Sequence, residues 1–178
     1  SPETVELNVP DQEAASHMTL LIEQLAVLLE GVDVVLTHPY EGGHPDHDAA
    51  ALSVHAALKL LSASAQLVEF TSYHNDHGWL RACEFLSETG SPVVTYQLDS
   101  AQQRKKHRML GCFVTQLATT ACFPLLVERF RAAPQYDFTE PPHSGTLYYE
   151  QFDWGMTGPR FRKLAACALD QLGLEPLL

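Results

Sequence analysis

The stretch Val32-Asp33-Val34-Val35-Leu36-Thr37 is short, apolar and β-branched, and it lies between two longer stretches with helical periodicity. On its amino-terminal side, within residues 12–30, Met18, Leu21, Ile22, Leu25, Leu28 and Leu29 recur at i, i+3, i+4 and i+7, the stripe of an amphipathic helix. Asp11 suits the N-cap of that helix and Gly31 its terminator. On the carboxyl side, Ala50, Ala51, Val54, Leu58 and Leu61 mark the inward face of a second helix. A strand between helices is the repeating unit of α/β folds, and a parallel strand is expected to be buried on both faces.

The alternation continues. Residues 66–71 read as a second strand, 79–87 as a helix and 92–97 as a third strand. Residues 101–131 have a helical pattern broken near Pro124, because proline cannot continue a helix across itself. Residues 134–160 carry seven of the chain's glycines and prolines within an aromatic-rich run: Pro134, Pro141, Pro142, Gly145, Gly155, Gly158 and Pro159. That segment is expected to be an ordered loop over the active-site end of the sheet, followed by a closing helix over residues 161–172. The expected fold is a single α/β domain over residues 1–178, a Rossmann-like three-layer α/β/α arrangement with a mostly parallel sheet.

Composition narrows the function. The formal net charge of −11 repels phosphate backbones, which argues against nucleic acid as a partner. The basic run Arg104-Lys105-Lys106-His107-Arg108 reads as a solvated helix face. Cys83, Cys112, Cys122 and Cys167 form no Cys-x-x-Cys pair and sit among apolar residues, as buried reduced thiols do. No apolar run has the length of a membrane span and no signal peptide is visible, so a cytoplasmic protein is expected, and a homo-oligomer is compatible with the composition.

The densest chemistry lies in residues 38–48, His-Pro-Tyr-Glu-Gly-Gly-His-Pro-Asp-His-Asp, directly after the first strand. Ligands of open α/β sheets gather at the carboxyl ends of strands. Pro45 suits the first helical position, which makes His44 the N-cap and puts Asp46 and Asp48 in the first turn. Gly42 and Gly43 allow a sharp turn and close approach of a substrate. Two imidazoles beside carboxylates suit a metal or acid–base site, but they equally suit a helix cap, His44, and a hydrogen-bonded loop residue, His47.

The run Gly43-His44-Pro45-Asp46-His47 after a Val-Asp-Val-Val-Leu-Thr strand resembles the second signature of the LmbE/PIG-L family of zinc-dependent N-deacetylases. Glu128-Arg129-Phe130-Arg131, residues 133–138 and Leu147-Tyr148-Tyr149-Glu150 are similar to carboxyl-terminal parts of bacterial members, so the resemblance spans most of the chain. It implies Zn2+ as cofactor and removal of an acetyl group from an N-acetylglucosamine-type conjugate, a small-molecule substrate. It implies His47 as a zinc ligand, His44 as the group that stabilises the tetrahedral intermediate or protonates the leaving amine, and Asp46 as the carboxylate orienting His44. Gly42 stands where some members carry a tyrosine that assists the intermediate, Tyr40 is the candidate to replace it, and Tyr40, Gly42 and Gly43 are expected to contact substrate.

The family's first signature, His-Pro-Asp-Asp-Glu, supplies two further zinc ligands and the general base, and it occurs nowhere in this sequence. A catalytic zinc takes three protein ligands. The expectation is therefore a missing amino-terminal segment of the same protein, in keeping with Ser at residue 1, or a non-catalytic carbohydrate-binding or regulatory homologue. Two further histidines are candidates for substrate binding. His74 lies in Tyr73-His74-Asn75-Asp76-His77, which also reads as a polar turn, and His143 lies in the proline-rich loop.

Overall fold

The computed structural model describes residues 3–86 and 90–175. Strand β1 (Val34–Thr37) leads through the histidine loop to helix α2 (Pro45–Leu60), after a 3-10 turn (Ala14–His17) and helix α1 (Met18–Leu28). There follow β2 (Gln66–Phe70), a hairpin of β3 (Tyr73–Asp76) and β4 (Trp79–Ala82), β5 (Val94–Gln97), α3 (Ser100–Leu110), the short α4 (Leu117–Thr120), β6 (Val127–Ala132) and α5 (Gly158–Gln171). Among the described residues no helix is long and apolar enough to cross a membrane.

The fold is mixed α/β, but the sheet is not mostly parallel. Its order is β1-β2-β6-β5, with β1 parallel to β2 and β6 antiparallel to both β2 and β5. The sequence pattern hid β6, because Val127-Glu128-Arg129-Phe130-Arg131-Ala132 stands just after a helical run and was read as part of it. Four of its six residues are half-buried and Arg131 is buried, as suits a strand inserted between two others. The helix expected over residues 79–87 is likewise β4, with Ser87 outside the described residues. His77 and Gly78 both have positive φ, 51° and 93°, the pair that a tight two-residue hairpin turn requires. The side chain of Asn75 accepts a hydrogen bond from the Gly78 N–H and completes that turn.

Helices α1 and α2 pack on one face of the sheet, and α3 meets the other face through Gln102 to Tyr96 and Lys106 to Glu128. Val35 lies against Val54 and Leu58 of α2, with Leu25 and Leu29 of α1 beside them. On the other face, Val34 and Leu36 are each 55% exposed, and Val94 and Tyr96 of β5 are exposed too. The expectation that β1 is buried on both faces is therefore corrected, since its burial alternates. The main core lies among helices. Met18 and Ile22 of α1, the small Ala49 and Ala56 of α2, and Phe161 and Ala165 of α5 meet Phe138 and Tyr149 from the 134–160 segment. That segment is thus a structural part of the core as well as a loop. Cys83 is buried, whereas Cys112, Cys122 and Cys167 are exposed, so three of the four thiols depart from the expected burial.

Two buried polar features carry measurable consequences. Across the β2–β6 register, Arg131 donates to Glu69 at 2.8 Å, Tyr136 donates to the other Glu69 oxygen at 2.7 Å, and the guanidinium lies 4.1 Å from the Phe85 ring centre. Removing one partner strands a buried charge. Arg131→Ala is expected to cost ~3–5 kcal/mol in urea denaturation, while the double change to Met at Glu69 and Arg131 costs far less. His55 is packed edge-on against Tyr136 and Phe138, and burial lowers its pKa from 6.5 to about 4. The unfolded chain takes up this proton first as pH falls, so the stability is present above pH 6.5 and is lost between 6.5 and 4. The loss is on the order of 3 kcal/mol, and His55→Phe is expected to remove that part of the slope in pH-dependent denaturation.

Candidate active site

At the carboxyl end of β1 the chain passes through His38 and Pro39 into the loop that ends at His44. His44 is the N-cap of α2 in extended backbone conformation, its Nδ1 accepts the Asp46 N–H at 3.2 Å, and Pro45 follows at the first helical position. The cap expected from the sequence is therefore present. Since Nδ1 accepts, the neutral ring carries its proton on Nε2 and presents an N–H donor. Burial holds the His44 pKa below its ordinary value, against Asp46 and Asp11, whose charges act to raise it.

Asp48 shapes the loop. It is fully buried, and its Oδ1 accepts the N–H groups of Glu41 and Gly42 at 3.2 and 3.1 Å. Burial pushes its carboxyl well above the usual range, opposed by these two bonds. Gly42 has a φ of +71° and its carbonyl accepts the Tyr148 N–H at 2.8 Å. Gly43 is held against β3: a Cβ there would lie 1.8 Å from the Tyr73 carbonyl oxygen. The glycines thus serve the close packing of the loop on both sides.

Three imidazoles collect here. The rings of His38 and His47 stack at 4.2 Å with 15° between planes, and His44 lies 5.2 Å from His47. Trp154 flanks His44 at 5.1 Å and Tyr73 flanks His47 at 5.5 Å. Burial, then the neighbouring imidazoles, keeps both His38 and His47 below the ordinary histidine range, His38 at about 4. His47 is therefore neutral at neutral pH, and its Nδ1 lies 3.2 Å from the Ser72 hydroxyl, leaving Nε2 for another partner.

The candidate residues do not form one cavity. His38 and Asp46 line a groove of about 640 Å3 beside β1. His74 and His143 line a different cleft of about 780 Å3, between the β3–β4 hairpin and residues 143–146, together with Arg81, Asn75 and Gln151. His74 Nδ1 meets the buried Glu41 carboxylate of the histidine loop at 3.2 Å. Tyr40 is corrected from a substrate-facing to a core position. It is 2% exposed, packs on Phe138 and Phe161, and donates to the Glu140 carbonyl at 2.8 Å.

Asp46 also differs from expectation. Its carboxylate accepts the N–H groups of Gln12 at 2.7 Å and Ala14 at 3.1 Å, and its backbone, not its carboxylate, bonds the His44 ring. It caps the start of the preceding helical turn across the fold, the place that Asp11 was expected to fill.

The sequence matches no protein-family model, no curated protein and no solved structure.

A zinc site built on His47 finds one supported nitrogen, with Ser72 behind it. The stacked His38 ring lies parallel to it, so the in-plane lone pairs of the two rings do not converge on one point. The donors that do converge are Asp11, His44 and Asp46, whose ligand atoms lie within 4.8 Å of one another. The described residues therefore do not by themselves compose the three-ligand zinc centre that the resemblance implies. His38, Glu41, Ser72 and Trp154 are site residues that sequence reasoning did not assign. His38 lay within the conspicuous run, whereas Ser72 and Trp154 are brought in by tertiary contacts alone.

Asp48→Ala leaves two buried N–H groups without their acceptor and is expected to cost ~2–4 kcal/mol in denaturant unfolding. Asp48→Asn, which keeps one acceptor oxygen, is expected to cost much less.

Proposed function

We propose that this chain is part of a zinc-dependent hydrolase of the LmbE/PIG-L N-deacetylase kind, acting on an N-acetylglucosamine-type conjugate. In this reading the mixed sheet belongs to a larger Rossmann-like three-layer fold in a cytoplasmic protein, and a segment outside residues 1–178 supplies the general base and the remaining zinc ligands. The observation that carries the reading is the pairing of two adjacent imidazoles whose Nδ1 atoms are both engaged within the protein, which leaves both Nε2 atoms for a ligand or substrate. His44 presents Nε2–H, and the neutral His47, supported at Nδ1 by Ser72, keeps Nε2 for a ligand.

The chain's own residues then have definite tasks. The His44 N–H is placed to hydrogen-bond an oxygen that gains negative charge as an amide carbonyl becomes tetrahedral. Trp154 and Tyr73 wall the imidazoles and exclude water from one side. The 780 Å3 cleft at His74 and His143 takes the remainder of the substrate, and its polar lining suits a hydroxylated ring. A single supported ligand nitrogen does not hold a catalytic zinc, so no proton or bond transfer is assigned to the metal.

That shortage also favours a second reading, a carbohydrate-binding homologue without metal. The two separate in an assay of acetate release from N-acetylated amino sugars by the intact protein. The enzyme reading expects zinc-dependent release, abolished by chelation and reduced at least ~100-fold in kcat by His44→Ala. Ligand binding unchanged by chelation, with neither bound zinc nor acetate release, would overturn it.

A further inference from the structure

Glu41 places a carboxylate in the interior, 1% exposed, and the side chain it meets is His74, whose Nδ1 lies 3.2 Å from Oε2. Both residues neighbour the imidazoles in the chain. Glu41 comes three residues before His44, and Tyr73, which packs against His47, comes immediately before His74. Burying such a pair costs desolvation that two apolar side chains would avoid. What the pair supplies is direction. With Nδ1 bound to a buried carboxylate, the imidazole cannot turn over and the position of Nε2 is set.

Among the described residues nothing hydrogen-bonds this Nε2, which stays open to solvent where His74 lines the cleft of about 780 Å3. Burial acts to raise the Glu41 carboxyl above its ordinary value, and the His74 bond opposes it. When the shared proton sits on the imidazole, the neutral ring accepts at Nε2; when it sits on the carboxyl, the ring donates from Nε2. A hydroxyl group both donates and accepts, so it meets either form.

The charges around the cleft oppose an anion. Arg81 is the one lysine or arginine among the described lining residues. It donates twice to Asp76 Oδ2, at 3.1 and 2.6 Å, and Glu84 lies 4.0 Å away. Two carboxylates thus answer one guanidinium, and a phosphate or carboxylate ligand finds no free positive charge. The polar side chains not spent on one another are neutral. The Ser144 and Thr146 hydroxyls and the Gln151 amide line the cleft and make no hydrogen bond to the described residues. Each both donates and accepts, as the hydroxyls of a sugar ring do.

We propose that His74 is the residue by which this cleft selects its ligand, that Glu41 is its positioning residue, and that the group bound there is a neutral hydroxylated ring, met also by Ser144, Thr146 and Gln151. Because Asp48 holds the Glu41 N–H, the residue that shapes the histidine loop also sets the place of His74. The assignment rests on the reading of the cleft as the place for the substrate's remainder, and it needs no metal.

Titration of the whole chain with methyl glucoside, glucose phosphate and glucosamine tests it, followed by the histidine imidazole nitrogen resonances of isotope-labelled protein. Methyl glucoside is expected to bind most tightly of the three and to give a saturable shift at His74 Nε2. His74→Phe weakens that binding at least ~10-fold, and Gln151→Ala, at an exposed position, at least ~3-fold. Glu41→Ala changes the tautomer ratio of His74 and weakens binding at least ~5-fold, while Glu41→Gln, which keeps an oxygen for the Nδ1–H, restores both. Tighter binding of glucose phosphate or glucosamine overturns the proposal. So does the absence of saturable sugar binding, or binding that leaves the His74 nitrogens unmoved. Lower stability of Glu41→Ala with unchanged affinity overturns the positioning role. Where His74→Phe or Glu41→Ala does not fold, the wild-type nitrogen shifts and Gln151→Ala decide. Methyl glucoside bound at His74 without acetate release from N-acetylated sugars sinks the deacetylase reading and leaves this one; acetate release with the His74 nitrogens unmoved does the reverse.

Discussion

A carboxylate placed wholly inside a protein is destabilising unless hydrogen bonds to it are well formed. In Asp48 one oxygen, Oδ1, accepts from two consecutive backbone N–H groups, those of Glu41 and Gly42, near the positive end of α2. These bonds only partly offset a burial that raises its pKa well above the usual range. The rest of the site is arranged around this clamp. With Glu41 fixed, its side chain reaches His74; with Gly42 fixed, its carbonyl receives Tyr148. Gly43 can then lie on the Tyr73 backbone, and His44 arrives at the helix start in the extended conformation that a cap needs. A single side chain, one turn into α2, thus sets the path by which β1 becomes a helix and the direction in which its histidines point.

The elements nearest to the motif were legible because several local signals agreed there. The helical stripe of residues 12–30, the β-branched run before Thr37 and the proline at the start of α2 all describe what the chain does, within a residue or two at the ends. Agreement failed where tertiary structure outweighs local pattern. Val127 to Ala132 carries two arginines and a glutamate, a composition at home on a helix surface, and it becomes a strand because β2 and β5 leave a place between them. Within it, Arg131 is buried by pairing with Glu69, a partner 62 residues away that no periodicity announces. The hairpin at His77 and Gly78 was hidden by the same kind of ambiguity, since Trp79, Leu80 and Ala82 suit a helix as well as a strand.

In the candidate site, spacing sufficed to place His44 and His47 side by side, for a cap followed by a first turn leaves little freedom. It did not place Tyr40, whose hydroxyl reads as chemistry in the sequence and is spent on the Glu140 carbonyl in the core. Nor did it reveal that Asp46 bonds backwards to Gln12 and Ala14, because a carboxylate in a first turn has many equally suitable partners. Roles that depend on contacts between distant segments, such as Trp154 on His44 and Ser72 on His47, had no local signature at all. What separates the two classes is sequence distance.

The hydrogen bond from Tyr148 to the Gly42 carbonyl links this loop to a segment whose neighbours Leu147 and Tyr149 are embedded among α1, α2 and α5. Catalytic and binding loops usually belong to the least stable parts of a protein, free to open while the core stays closed. Here the turn that carries the histidines is fastened to the core by the Tyr148 bond and the side chain of Leu147 on one side and by Asp48 of α2 on the other. Opening the turn requires lifting a core segment, so its motions are expected on the slow time scale of partial unfolding. The histidine site is then a rigid wall against which a ligand must fit, and any adaptation to its shape falls to the hairpin and to the segment before α1.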